Sequence, residues 1–385
     1  MMAGALSGIR VVELASYVSG PYASMILADY GAEIVKVESP DGGDPFRAWG
    51  AGAMNPFFDS VNRNKKSVVA DLKTARGRAD IRGLIARSDV VVENYRTGVL
   101  DRYGLGYDSL RAENPRLIYC SITGFGNFGP YANRPGYDTI GQAMSGMLSL
   151  LTDQGNPKAM GVSISDHLAG MVACNAILAA LYARERSGLG QRVDTSLIES
   201  TLSFVGENAT RYLNAGQVSS RATRTYSAQV FAFSAGDGLP FVIHLSSPKK
   251  FWVGLLRAID RPQWGGDPRF AQRTDRIANY TELEQELAAV FATGARAQWL
   301  DALQREDVPS AAIYDMKEVF SDEQVKALGM QVRLEHPERG EVSYIRNGAR
   351  MSATPTEIHS PAPVLGSDTD AYFASETDAP AEHCR

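Results

Sequence analysis

Cysteine is scarce in this chain: Cys120, Cys174 and Cys384 are the only three in 385 residues. Their spacing matches no metal-ligand set, and any disulfide scheme leaves one of them over. The pattern is therefore that of a reduced, cytoplasmic protein without a metal centre. Long apolar runs are also missing. The longest mainly apolar stretch, Met171 to Ala183, falls short of the ~20 residues that span a bilayer and reads as a buried helix, so no membrane association is expected. The opening MMAGALSGIRVVEL lacks a charged region followed by an apolar run, so no secretory signal is expected. Nor is there an excess of one charge: the net value is -5 with both signs interspersed, which offers nucleic acid no basic face. The patterns G-x-x-x-x-G-K-[ST], H-E-x-x-H and G-x-S-x-G do not occur, and with them go the phosphate loop, the zinc-protease helix and the hydrolase elbow.

What remains is the balance of an ordinary globular protein, 44% hydrophobic and 22% charged, long enough for two domains. The first half repeats a β-branched run, a turn and a helical stretch. IRVVEL, AEIVKVE, SVVADL, DVVVEN, RLIYCSI and QRVDTSL read as strands, and the intervening helices imply a parallel α/β sheet. A long helix is expected from Ser165 to about Arg186, ended by Gly188, and another from Ile198 to Asn214. Polar residues Gln217 to Thr225 read as an interdomain linker. VFAF and PFVIHL around AGDG signal a hairpin that opens a smaller α+β domain. A second linker is expected near Gly329 to Gly340. The domain boundaries are thus 1–215, 216–328 and a returning tail, 329–385.

GFGNFG, Gly124 to Gly129, fits the dinucleotide pattern G-x-G-x-x-G, which carries the alternative of a nucleotide-dependent oxidoreductase. A true fingerprint opens a helix, whereas Pro130, Pro135 and Gly136 keep this chain in a loop. A backbone cradle for some other ligand is the better reading, and no NAD is expected. Asp166, in GVSISDHLAG, stands where a long helix begins. The residue type suits an N-cap, and an ionised carboxylate there also suits a nucleophile towards an activated acyl group. His167 is a general base or a satisfied polar residue. Tyr137 and Asp138 are turn residues or groups supporting the site. Lys65, Lys66, Lys73, Arg96 and Arg102 are solvated charges or phosphate ligands, and Arg47 and Arg134 are candidate carboxylate clamps.

Taken together, LSGIRVVELASYVSGPYASMILADYGAEIVKVE, NRNKKSVVADLK, VVENYRTGVLDRYGLGY, NPRLIYCSITGFGNFGPYANRPGYDTIGQAMSG, the Asp166 segment, GQRVDTSLIESTL, DPRF, VPSAAIYDMKEV and SATPTEIHSPAPVLG resemble the family III CoA-transferases in order and nearly throughout. The resemblance implies a Rossmann-like large domain with a parallel sheet, a smaller α+β domain, and a homodimer of two interlocked rings. It implies coenzyme A and acyl-CoA as substrates, a carboxylic acid as acceptor, and Asp166 as nucleophile through an aspartyl anhydride and thioester. Lys73, Asn94, Tyr95 and Arg102 carry over as CoA-binding positions, with Tyr17 and Val18 near the thioester and Arg134 beside them. The glycine run that covers the nucleophile in formyl-CoA transferase is absent here, and AGDG (Ala235 to Gly238) stands in the same region. The related racemases need a histidine where this chain has Tyr137. A phenol with a pKa near 10 is a poor proton shuttle at neutral pH, so transfer is expected. Acyl-CoA racemisation and CoA binding without transfer are the alternatives.

Overall fold

The computed structural model describes residues 4–50 and 55–373. Cys384 lies outside them, and Cys120 and Cys174 are buried free thiols. The chain divides into two compact units, 1–148 with 159–209 and 329–385, and 149–158 with 210–328. Residues 149–158, assigned to the large domain from sequence, group with the second unit instead.

The first unit is built on six parallel strands: β1 (Arg10–Leu14), β2 (Glu33–Glu38), β3 (Lys65–Val69), β4 (Val90–Glu93), β5 (Ile118–Thr123) and β6 (Arg192–Ser196). Their order is β3-β2-β1-β4-β5-β6, with Val12 beside Val35 on one side and Val91 on the other. Helices cover both faces, which is why the central strands read as continuous apolar runs. On one face α1 (Ser19–Asp29) and α8 (Ile164–Ser187) lay Ala23, Leu27, Ala169, Ala173 and Ile177 against Val11, Ile34, Val90 and Ile118. On the other, α3 (Ala75–Ala86) sets Ile81, Leu84 and Ile85 against Val12, Val35 and Val91. By length and composition α8 is apolar enough to cross a bilayer, yet a whole face of it is spent on this core. Gly170 lets α1 and α8 close up, since a Cβ there would lie 2.8 Å from the Ser19 carbonyl oxygen.

Shorter helices lie in the crossovers, α2 (Pro56–Asn62), α4 (Val99–Arg102), α5 (Tyr107–Glu113), α6 (Asp138–Met144) and α7 (Met147–Leu151), and α9 (Leu197–Phe204) follows β6. The helix expected over 198–214 is two, α9 and α10 (Gly206–Ala215). The expected linker at Gly329 to Gly340 is instead the start of an antiparallel hairpin, Gln331–His336 with Gly340–Ile345, which buries Val342 and Tyr344. Arg339 at its turn pairs with Asp59 of α2 at 2.7 and 2.8 Å. The tail then returns to the open edge of β3. Asn64 accepts the N–H groups of His359 (2.8 Å) and Ser360 (3.0 Å). Asp368 accepts the Ser67 N–H (3.0 Å), and Thr369 the Val69 N–H (3.0 Å).

The second unit carries a three-stranded antiparallel sheet, β7 (Val230–Ser234), β8 (Pro240–His244) and β9 (Ser310–Ala312), in that order. Phe231, Phe233, Phe241 and Ile243 pack with Trp252, Leu255, Leu283, Leu287 and Phe291 from the flanking helices. Much of the expected first linker is helical, α11 (Arg221–Ala228), started by a Ser220 N–H bond to the Thr223 hydroxyl (2.9 Å) and held by stacking of Tyr226 on Tyr280 at 3.9 Å.

Candidate active site

Strand order reverses between β1 and β4, and in open parallel sheets that switch point leaves a crevice beyond the carboxyl ends of the strands. A cavity of about 270 Å³ opens there in the first unit. Its wall comes from the turn after β1 (Ser16 to Ser19), the segment after β4 (Asn94 to Thr97), the loop after β5 (Thr123, Gly124, Arg134 to Tyr137), and Asp166 of α8. Among the described residues, Asp166 is the only acidic residue in that wall, and no cysteine, histidine or lysine joins it.

The turn after β1 is held from the side. Tyr17 adopts a left-handed backbone, φ 63°, which a residue other than glycine keeps only when its surroundings enforce it. Asn94 grips the neighbouring residue: its Oδ1 accepts the Ser16 N–H (2.9 Å) and its Nδ2 donates to the Ser16 carbonyl (2.8 Å). α1 follows with no side-chain cap, and its third residue, Pro21, carries no N–H, so the amides left open at its start are those of Ser19 and Gly20, of which Ser19 stands in the cavity wall. The loop after β5 is fixed by a close approach, because a Cβ on Gly136 would lie 2.6 Å from the Gly124 Cα. GFGNFG opens no helix; the next one begins at Asp138. One of its amides is spent locally, with Gly126 N–H donating to the Thr123 hydroxyl at 2.9 Å.

Asp166 is not the N-cap of α8. That position belongs to Ser163, and Asp166 sits in the first turn. Its own N–H donates to Asp138 Oδ1 at 3.2 Å, while Gln142 Nε2 donates to Asp138 Oδ2 at 2.5 Å and to the Val162 carbonyl at 3.0 Å. A carboxylate at a helix start is favoured in its ionised form, and full ionisation at neutral pH was the expectation. Burial overrides it: desolvation first, and the nearby Asp138 second, push the Asp166 carboxyl up to about 7. His167 Nδ1 bonds the Ser163 carbonyl at 2.6 Å, and its ring meets Tyr22 edge-on at 4.6 Å. It braces the helix start and does not line the cavity.

The profile of CoA-transferase family III matches residues 6–369 of the chain. The chain belongs to that family. It is 37% identical over 373 residues to a succinate–glutarate CoA-transferase of Agrobacterium fabrum, covering 94% of this chain and 93% of the relative. It is 35% identical over 375 residues to a succinyl-CoA–D-citramalate CoA-transferase of Chloroflexus aurantiacus, covering 96% and 93%. A CAIB/BAIF family protein from Brucella suis, solved as a crystal structure, superposes with a TM-score of 0.86 at 36% identity, covering 96% of this chain and 98% of that one.

Within this family III chain, Tyr17, Val18, Asn94, Tyr95, Arg134, Tyr137 and Asp166 gather around one cavity, and Arg96 joins them. Lys73 and Arg102 do not line it; Lys73 is exposed, 3.5 Å from Asp41. Arg47 is no carboxylate clamp for substrate. It binds Glu38 through two bonds of 2.7 Å, donates to the Pro363 carbonyl and lies over the Phe58 ring. Arg134 stacks on Tyr131 at 3.8 Å. Lys65 is not a solvated charge but fully buried in an ion network. Among the described residues no group of three or more acidic, histidine or cysteine side chains is placed to hold a metal. Sequence reasoning did not single out Asp44, whose Oδ1 accepts the Tyr17 N–H at 3.1 Å, because the glycine- and proline-rich loop that carries it reads as plain turn.

Proposed function

We propose that the chain moves coenzyme A from an acyl-CoA donor to a carboxylic acid acceptor, with Asp166 as the nucleophile. The observation that carries this is that, among the described residues, Asp166 is the only carboxylate in the wall of the switch-point cavity. Its ionised oxygen attacks the thioester carbonyl, the C–S bond breaks, and CoA leaves as thiolate, which gives an acyl-aspartyl anhydride. The thiolate returns to the aspartyl carbonyl and expels the donor acid, which leaves an aspartyl thioester. The acceptor carboxylate opens that thioester to a second anhydride, and the thiolate takes up the acceptor's acyl group. Anhydride and thioester are both activated acyl species, so the sequence needs no ATP.

Charge developing on the thioester oxygen requires N–H donors. The Asp166 amide at the start of α8 and the Gly126 amide of the loop after β5 already have acceptors. The uncapped start of α1 is the better source. The acceptor class is a short dicarboxylic acid. Support comes from the two relatives named above, from a cavity of about 270 Å³, and from Arg96 and Arg134 in its wall, which offer a distal carboxylate a cationic partner. The working unit is a homodimer. Ile140 and Met144 of α6, Val172 of α8, and Leu202 and Phe204 of α9 are exposed apolar residues on helices packed against one another, and a second copy that covered them would remove this apolar surface from water. Light scattering at nanomolar concentration that found a folded monomer would refute the dimer.

The deciding experiment is chemical trapping. Protein incubated with succinyl-CoA and then with hydroxylamine or borohydride gains a mass change confined to the peptide containing Asp166, and transfer to glutarate is detected by mass spectrometry. Modification of another carboxylate, such as Asp138, or the absence of transfer across donor and acid panels, overturns the reading.

A further inference from the structure

Beneath the turn after β1 lies a fully buried ion network. Lys36 Nζ sits 2.7 Å from Glu13 Oε1 and 2.8 Å from Asp44 Oδ2, and donates to the Ala15 carbonyl at 2.9 Å. Lys65 Nζ sits 2.7 Å from Glu13 Oε2 and donates to Pro21 O (2.8 Å) and Asn62 Oδ1 (2.9 Å). All four ionic side chains are shut off from solvent. Burying charges costs about as much as their pairing returns, so apolar packing would serve stability equally well. The network reaches the cavity wall through Asp44, whose Oδ1 accepts the Tyr17 N–H at 3.1 Å as well as the Phe46 N–H at 2.9 Å. Tyr17 is the left-handed residue of the turn, a conformation that persists only where its surroundings over-determine it. Asn94 holds the residue before it, and Asp44 holds Tyr17 itself.

We propose that Asp44 is a positioning residue for the transfer reaction: by accepting the Tyr17 N–H it keeps the Ser16 to Ser19 turn in the shape that aims the first amides of α1 at the thioester. Lys36, 2.8 Å from the other Asp44 oxygen, balances the charge of the carboxylate. The functional half of this inference rests on the transfer reading above; the structural half does not.

The test uses the full chain, with two variants and two readouts. Asp44→Ala removes the acceptor. Hydrogen exchange by mass spectrometry then speeds up about tenfold or more at the Tyr17 amide, with the peptide of β5 unchanged. With succinyl-CoA and glutarate, kcat falls about tenfold or more while KM stays within about twofold, the mark of a group acting in the transition state. Asp44→Asn keeps an acceptor oxygen but deprives Lys36 of a counter-charge. Its Tm falls, while the Tyr17 amide stays protected and kcat stays within about threefold of wild type. An Asp44→Ala variant with wild-type exchange and kcat overturns the proposal. So does an Asp44→Asn variant that loses both protection and kcat below its own Tm, and that variant alone decides if Asp44→Ala does not fold. If the wild-type chain transfers no CoA, the functional reading falls, and the exchange data still decide whether Asp44 holds the turn.

Discussion

Replacing Asp166 by asparagine separates the nucleophile from the cost of keeping it. The Asp166 carboxyl is held at about 7 against an ordinary value of 3.8, a rise of about 3 units. At about 1.36 kcal/mol per unit, the ionised side chain strains the fold by up to ~4 kcal/mol. For a carboxyl whose folded pKa is raised, this penalty is fully present above about pH 7 and fades as pH falls towards 4, where folded and unfolded chains are both protonated. Asp166→Asn, which has nearly the same shape and no charge, is therefore more stable than wild type at pH 8. At about 2–4 °C of Tm per kcal/mol in units of this size, the gain is several degrees, and it shrinks steadily down to pH 4. Transfer falls by several orders of magnitude at every pH. Wild-type kcat/KM rises through about pH 7 and levels off above it, because only the ionised carboxylate attacks. Calorimetry across pH 4–9, paired with a CoA-release assay, measures all three effects. A variant that is less stable than wild type at pH 8, or that keeps its activity, refutes the reasoning.

Gly136→Ala sets a Cβ 2.6 Å from the Gly124 Cα. It is expected to cost about 1–3 kcal/mol and to lower kcat/KM about tenfold or more by shifting Tyr137 and Asp138; unchanged Tm and rate would sink this account of the loop. Arg63→Met strips the buried Asp29 of its two guanidinium bonds, 3.0 and 2.6 Å long, and is expected to destabilise by about 3–5 kcal/mol in chemical denaturation. A loss below about 1 kcal/mol would contradict it. A 2-methylacyl-CoA incubated with the protein in deuterated water is expected to keep its α-proton, since Tyr137 stands where the racemases have histidine. Label uptake at turnover rates, read by mass spectrometry, would move the chain to the racemase branch.

The strands of the first unit were legible because parallel pairing buries both faces of each strand and leaves the plain signature of β-branched runs such as IVKV and VVV. Asp166 was legible as a residue at a helix start, but its charge state was not, because it is set first by burial and then by Asp138, 28 residues earlier in the chain. Lys36 and Lys65 are ordinary polar letters in sequence; their counter-ions Glu13 and Asp44 come from other segments, so only the fold reveals that the lysines are buried. The hairpin from Gln331 was legible in principle, since Val332, Leu334, Val342 and Tyr344 alternate with polar residues. Gly329 and Gly340 outweighed that alternation and suggested a linker. α11 escaped notice because its polar sequence is held by tertiary stacking on Tyr280 rather than by intrinsic pattern.

The strap that the tail lays along β3 bears on how the protein is made. β3 is the outer strand of its sheet, and the groups that occupy its free edge, Asp368 and Thr369, are synthesised after all six strands of that sheet. Until they emerge from the ribosome, the nascent sheet displays a bare row of Ser67 and Val69 amides, the kind of template on which a second unfinished chain can add a strand. A stalled or prematurely terminated message ending before Gly366 would therefore yield a species whose Glu13, Lys36 and Asp166 are all encoded but whose sheet border stays adhesive, which makes it a substrate for chaperones rather than a weaker enzyme.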